Sequence, residues 1–254
     1  MNCADIRMIF CDVDGTLLPH GSKSLSDDIF KTINRAVSYG IHFCIASGRS
    51  YPDLKRLFSP VINNVTFICN DGSLMVENDS ILFSSPLDKF QISCMSKTYI
   101  NDYDALIIYA KEYTYYISDK IQIDFAKKIT PEEITSSVAG DIFKVAFMNL
   151  SQKAKIKINN LGIKSGILNK VYEDATWTEY ITAQTDKGTA VKVLQRVYGV
   201  SSSETAAFGD NLNDLNMLRS AQYSYAPENA HPDIIRMCKF KTNNVNDEIL
   251  NIIS

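Results

Sequence analysis

The stretch best equipped for chemistry is Asp12-Val13-Asp14-Gly15-Thr16. It follows Met8-Ile9-Phe10-Cys11, an apolar run of the length of a buried strand. Two carboxylates two residues apart repel each other, and their burial is costly unless a cation or hydrogen bonds compensate. A carboxylate in such a place can attack as a nucleophile or move a proton. The plainer alternative is a turn, because Asp-x-Asp-Gly is also ordinary turn chemistry.

Three further stretches put polar groups at the ends of apolar elements. Residues 41–46, I-H-F-C-I-A, end in Ser47-Gly48-Arg49, where a hydroxyl and a backbone amide can donate to phosphate oxygens. Lys187, in D-K-G-T-A-V, stands at a helix start, where free amides also favour anions. A lysine there is otherwise a solvated residue, slightly unfavourable against the helix dipole. The run at 205–208 leads into G-D-N-L-N-D-L-N-M at 209–217. Its carboxylates suit a cation that prefers oxygen ligands, or its Asn and Asp residues cap the next helix.

These stretches need a scaffold, and the flanking patterns supply one. Ser26 caps a helix with Ile29, Ile33, Ala36 and Val37 on one face, ended by Gly40. Ser50 caps a second short helix, and residues 66–69 form a third strand. The order strand, helix, strand, helix, strand predicts a parallel sheet with crossover helices. Ligands of such sheets bind beyond the carboxyl ends of the strands, where Asp12 and Ser47 both lie. Residues 74–83 read as a hairpin turning at Glu77-Asn78-Asp79.

From about residue 84 the texture changes. Helices are expected over 88–99, from Thr130-Pro131-Glu132-Glu133 with its capping-box spacing, and from Ser151 with Ala154, Ile158 and Leu161. Strands are expected over 105–109, 113–117, 142–150, 168–172 and 176–181. This block reads as a separate α+β unit. A long helix then runs over 185–199 with Ala190, Leu194, Val197 and Tyr198 on one face. Residues 213–221, 231–237 and 247–253 read as helices, and 205–208 and 223–226 as short strands. The expected fold is α/β, a Rossmann-like parallel-sheet core over 1–83 and 183–254 with an α+β unit inserted over 84–182.

The four polar stretches, in this order, resemble the four motifs of the haloacid dehalogenase (HAD) superfamily of phosphatases. G-D-x-x-N-D-x-x-M with D-K-G is similar to the Cof-type subfamily, IIB, and the insertion resembles its C2-type cap. The resemblance implies a nucleophilic Asp12 and an Asp14 that protonates the leaving alcohol and then activates water. It implies phosphate contacts from Val13, Ser47, Gly48, Lys187 and Asn213. Mg²⁺ would be held by Asp12, Asp210 and the backbone carbonyl of Asp14, with Thr16 and Asp214 in support. One departure stands out: where the family often has Asn-Gly-Ala, this chain has Asp71-Gly72-Ser73, read here as a turn cap. The expected activity is hydrolysis of a small phosphorylated metabolite, with sugar phosphates among the candidates. The alternatives are phosphomutase-like transfer to another alcohol and a non-catalytic phospho-metabolite sensor. Specificity is expected from the cap.

Composition narrows the classes. The formal net charge of −3 leaves no global nucleic-acid footprint, and no eighteen-residue apolar run suggests a membrane span. The first apolar run leads into Asp12 rather than a signal-type cleavage site. Cys3, Cys11, Cys44, Cys69, Cys94 and Cys238 form no C-x-x-C and are read as free thiols of a reducing, cytoplasmic compartment. His20, His42 and His231 show no metal-ligand spacing. Tyr113, Tyr115 and Tyr116 are read as sheet packing. Asp124 and Lys127 receive no role, and the oligomeric state is left open.

Overall fold

The structure is a computed structural model that describes residues 6–19, 21, 22 and 24–254. Cys3 and His20 lie outside the described residues, as does the side chain of Leu161. The chain divides into two compact units, one comprising residues up to Arg49, Asp53–Leu82 and Asp186–Ser254, the other Ser50–Pro52 and Phe83–Thr185. Among the described residues no helix is long and apolar enough to cross a membrane.

The first unit opens with β1 (Met8–Cys11), every residue of which is buried. α1 (Asp27–Ser38) buries Ile29, Ile33 and Ala36, and Gly40 beyond it takes the positive φ of 80° that the chain needs to leave a helix. Burying each such aliphatic side chain contributes about 1.5–3 kcal/mol, and Ile33→Ala would cost about 2–5 kcal/mol. β2 (His42–Ala46), α2 (Tyr51–Leu57) and β3 (Val65–Cys69) follow. β4 (Leu74–Glu77) and β5 (Ser80–Ser84) turn at Asn78 and Asp79, whose φ values of 49° and 61° belong to the tight hairpin turns that these residue types tolerate.

The second unit holds α3 (Lys89–Thr98), β6 (Ala105–Ala110), β7 (Thr114–Ile117), β8 (Lys127–Lys128), α4 (Ile134–Ser137), β9 (Ile142–Met148), α5 (Gln152–Ile158), β10 (Leu168–Glu173) and β11 (Trp177–Thr182). Its six strands run in the order β10-β11-β9-β6-β7-β8, antiparallel except for the β7–β8 pair. The helical side buries Ile92, Leu106, Ile108, Val145, Phe147 and Tyr180 together. Tyr115 and Tyr116 are buried and Tyr113 is exposed. Two expectations shift here. The Thr130 amide donates to the Glu133 carboxylate as in a capping box, yet α4 begins only at Ile134. α5 ends at Ile158 and passes into a wider turn over Asn159–Ile163.

The chain then returns with α6 (Lys187–Tyr198), β12 (Thr205–Phe208), α7 (Leu215–Arg219), β13 (Tyr223–Pro227), α8 (Pro232–Met237), β14 (Phe240–Thr242) and α9 (Val245–Ile252). α6 starts two residues later than expected because Asp186 caps it, its carboxylate accepting from the Thr189 amide at 2.6 Å. Val197 is exposed rather than on the buried face formed by Ala190, Val191 and Leu194. The expected helix over 213–221 is a 3₁₀ turn, Leu212–Asp214, running into the short α7. β14 had no signal, since Phe240-Lys241-Thr242 is too short to show alternation. The eight strands lie in the order β14-β13-β12-β1-β2-β3-β4-β5, parallel from β14 through β3. Cys11, Cys44 and Cys69 are buried free thiols, Cys238 is half-buried and Cys94 is exposed.

Candidate active site

β1 sits between β12 and β2, so the turns after these three strands converge at one end of the sheet. Asp12 leaves β1 while its amide still donates to the Phe208 carbonyl at 2.9 Å, which fixes its direction. Val13 is buried, and its carbonyl accepts from the Thr16 and Leu18 amides in a tight loop. Gly15 in that loop has φ 95°, and a Cβ there would lie 2.3 Å from Asp210 Oδ2. Only glycine lets the loop come so close.

Lys187 links the segments. It is 1% exposed, and Nζ donates to Asp12 Oδ1 at 2.5 Å and to Asp214 Oδ1 at 2.7 Å. Asp214 in turn accepts from the Asp210 and Asn211 amides at 3.0 Å, which pins the 209–214 loop to the lysine. The Thr16 hydroxyl donates to Asp210 Oδ1 at 2.9 Å, so Thr16 holds Asp210.

The balance of charge here is uneven. Asp12, Asp210 and Asp214 are all buried and can each offer an oxygen within 4.8 Å of the others. Burial, with the Asp214 charge added, pushes the carboxyls of Asp12 and Asp210 above the ordinary carboxylate range. Burial works to lower Lys187, but the charges of Asp12 and Asp214 outweigh it and hold its ammonium well above the usual lysine value. An all-oxygen set with surplus negative charge fits a hard divalent cation such as Mg²⁺. The gathered set is Asp12, Asp210 and Asp214. The Asp14 side chain turns elsewhere.

Asp14 is gripped by Arg49, whose Nε donates to Oδ2 at 2.8 Å and Nη2 to Oδ1 at 2.6 Å. This bidentate contact is absent from the sequence expectations. Its signal was an arginine two residues beyond Ser47, the residue type that matches a carboxylate with a planar fork. Ser47 is buried and its Oγ accepts from the Arg49 amide at 3.1 Å, which leaves its hydroxyl proton to donate. Asp71 does more than close a turn. It is buried at φ 56°, accepts from Asn213 Nδ2 at 3.0 Å, and would lie 3.0 Å from a Cβ on Gly48. It thereby joins the Ser47–Gly48 turn to the Asn213 loop.

The chain is similar to known proteins over nearly its whole length. The model of the haloacid dehalogenase-like hydrolases matches residues 9–252. A 5-amino-6-(5-phospho-D-ribitylamino)uracil phosphatase of Escherichia coli is 26% identical, over 98% of this chain and 95% of its own. A phosphoglycolate phosphatase of Metallosphaera sedula is 23% identical, over 91% and 90%. Among solved structures, the HAD subclass IIB sugar phosphatase BT4131 superposes with a TM-score of 0.79 at 17% identity, over 98% of this chain and 100% of that one. A haloacid dehalogenase-like hydrolase from Bacteroides thetaiotaomicron gives 0.81 at 18%, over 97% and 99%. The match across nearly the whole chain, with its motif residues gathered at one sheet end, makes this chain a member of the haloacid dehalogenase-like hydrolase family.

Proposed function

We propose that this phosphoric monoester hydrolase is a Mg²⁺-dependent phosphatase acting on small phosphorylated metabolites, sugar phosphates among them, through an aspartyl-phosphate at Asp12. The observation that carries the reading is the buried Asp12–Lys187–Asp214 bridge beside Asp210, with Asp14 two residues from the nucleophile.

The Asp12 carboxylate attacks phosphorus, and the bond to the leaving alcohol breaks. Asp14 gives the departing oxygen its proton, and then takes one from the water that attacks the aspartyl-phosphate, releasing inorganic phosphate and restoring Asp12. Lys187 works against the rise that burial imposes on Asp12, favouring its ionised form, and adds positive charge beside the transferring group. Ser47, the Gly48 and Val13 amides and Asn213 donate to phosphate oxygens. Mg²⁺ held by Asp12, Asp210 and the Asp14 carbonyl, with Asp214 in support, would offset the repulsion between carboxylates and phosphate. The inserted unit is the domain assigned to substrate selection. The two curated relatives carry different substrate names, so the phosphoryl chemistry transfers and the leaving group does not.

The test is phosphate release from a panel of phosphomonoesters with Mg²⁺ or with chelator. Release that needs Mg²⁺ and favours sugar phosphates supports the reading. Undiminished release in chelator contradicts the metal dependence, and isomerised sugar phosphate without net release would indicate a mutase instead.

A further inference from the structure

Ser47 follows β2, while β12, β13 and β14 lie on the other flank of β1. On that flank is a cavity of about 590 Å³. It is walled by the loop after β1, the N-terminal ends of α1 and α9, and the chain leaving β13 and β14. The volume falls within the roughly 300–1,000 Å³ of small-molecule sites.

Its lining combines an apolar floor with neutral polar groups. Leu25, Ile29 and Val245 are buried beneath it. Ser24, Ser26, Asn229 and Asn246 bring hydroxyls and carboxamides, and among the described residues no charged side chain lines it. Hydrogen-bonding capacity is unmet at one point, where Asn246 Oδ1 is buried without a partner. Ser26, the exposed N-cap of α1, makes no side-chain bond to the first-turn amides, so its hydroxyl is available to a ligand. An anion would find no lysine or arginine among these lining residues, and acidic residues, Asp27, Asp28, Asp247 and Glu248, in both helices' first turns. A cation would find no carboxylate in the lining. Hydroxyls and amides over an apolar floor suit a ligand with hydroxyls on one side and C–H groups on the other.

We propose that this cavity is a second ligand site, taking a neutral, hydroxyl-rich molecule of the monosaccharide or polyol class. Thr16 lines it and donates to Asp210, so an occupant sits against the loop that orients a carboxylate of the active site.

The test is saturation-transfer NMR on the full chain with glucose and sorbitol as separate probes, with inorganic phosphate, which has no carbon-bound proton to observe, read by thermal unfolding. Glucose or sorbitol is expected to draw signal from the wild type without Mg²⁺, when no turnover occurs. Asn246→Leu keeps the side chain's size and removes both polar atoms, and is expected to weaken the signal about tenfold, the loss of one or two hydrogen bonds. Ser24→Trp, on an exposed loop, fills the cavity and is expected to abolish the signal with the fold intact. No signal from either neutral probe, equal signal in wild type and Ser24→Trp, or a thermal shift with phosphate that Ser24→Trp abolishes would overturn the proposal. None of these outcomes depends on the phosphatase reading, because no phosphoester is present.

Discussion

The two units bury charge in opposite ways. In the inserted unit Lys144 donates to Glu179 at 2.9 Å between neighbouring strands, with the Tyr109 ring 5.0 Å from the ammonium. In the other unit Asp12, Asp210 and Asp214 crowd around the buried ammonium of Lys187. The first arrangement sets cation against carboxylate on a sheet face. The second leaves surplus negative charge at strand ends, where such sheets take ligands. Imbalance, more than burial, marks the candidate site, because a folded chain retains it only if a further cation or a reaction makes use of it.

The sharpest way to break this comparison is Asp12→Asn. It should lower kcat by about 10⁴-fold or more while thermal unfolding shows a fold at least as stable, since one buried repulsion disappears. Turnover within tenfold of wild type in a clean preparation would sink the nucleophile assignment.

Next in size is Lys187→Met. Removing the ammonium that bridges two of the three buried carboxylates should destabilise the metal-free protein by about 3–5 kcal/mol in urea unfolding. Lys144→Met should cost less, about 1–3 kcal/mol, because Glu179 keeps 17% of its side-chain exposure and can reach water. Replacing both members by Lys144→Met with Glu179→Leu should recover most of that loss. A larger effect at Lys144 than at Lys187 would reverse the comparison.

Acidity sharpens it further. Burial first, then the Asp214 charge, raises Asp12 and Asp210 in the folded state above their unfolded values. The stability they contribute is therefore full below the unfolded carboxylate value, about 4, and is lost as pH rises through their raised folded values. The difference in unfolding free energy between wild type and Asp12→Asn, measured in chelator, should move against wild type as pH rises from about 4 to neutrality, and Mg²⁺ should flatten it. A difference that moves toward wild type over that window would contradict the surplus-charge account.

The smallest expected effect is at Arg49. Arg49→Lys keeps the charge but not the fork that holds both oxygens of Asp14. It should slow phosphate release from alkyl phosphates by about 10–100-fold and from p-nitrophenyl phosphate much less, since a good leaving group needs no proton. Equal losses on both substrates would mean that Arg49 does not act through Asp14.

Much of this was legible in the sequence, for physical reasons that differ by residue. Asp12, Ser47, Lys187 and the 209–217 loop stand at junctions between apolar runs and polar turns, so local pattern finds them and parallel topology brings them together. The Arg49–Asp14 fork and the Asp71–Asn213 bond join residues 35 and 142 positions apart, and although Arg49 stands out beside Ser47, local spacing does not say which carboxylate it meets. Val197 shares the helical spacing of Ala190 and Leu194, but the buried stripe of α6 is too narrow to include it. Pro131 signals a helix start that the chain delays to Ile134, which is buried in the same cluster as Ile92 and Phe147.

The most direct test of the central claim is to quench turnover with acid and map phosphate on the chain by peptide mass spectrometry. The account predicts phosphate on the peptide containing Asp12 in wild type and none in Asp12→Asn. Phosphate on a peptide lacking Asp12, or undiminished labelling in the variant, would contradict it.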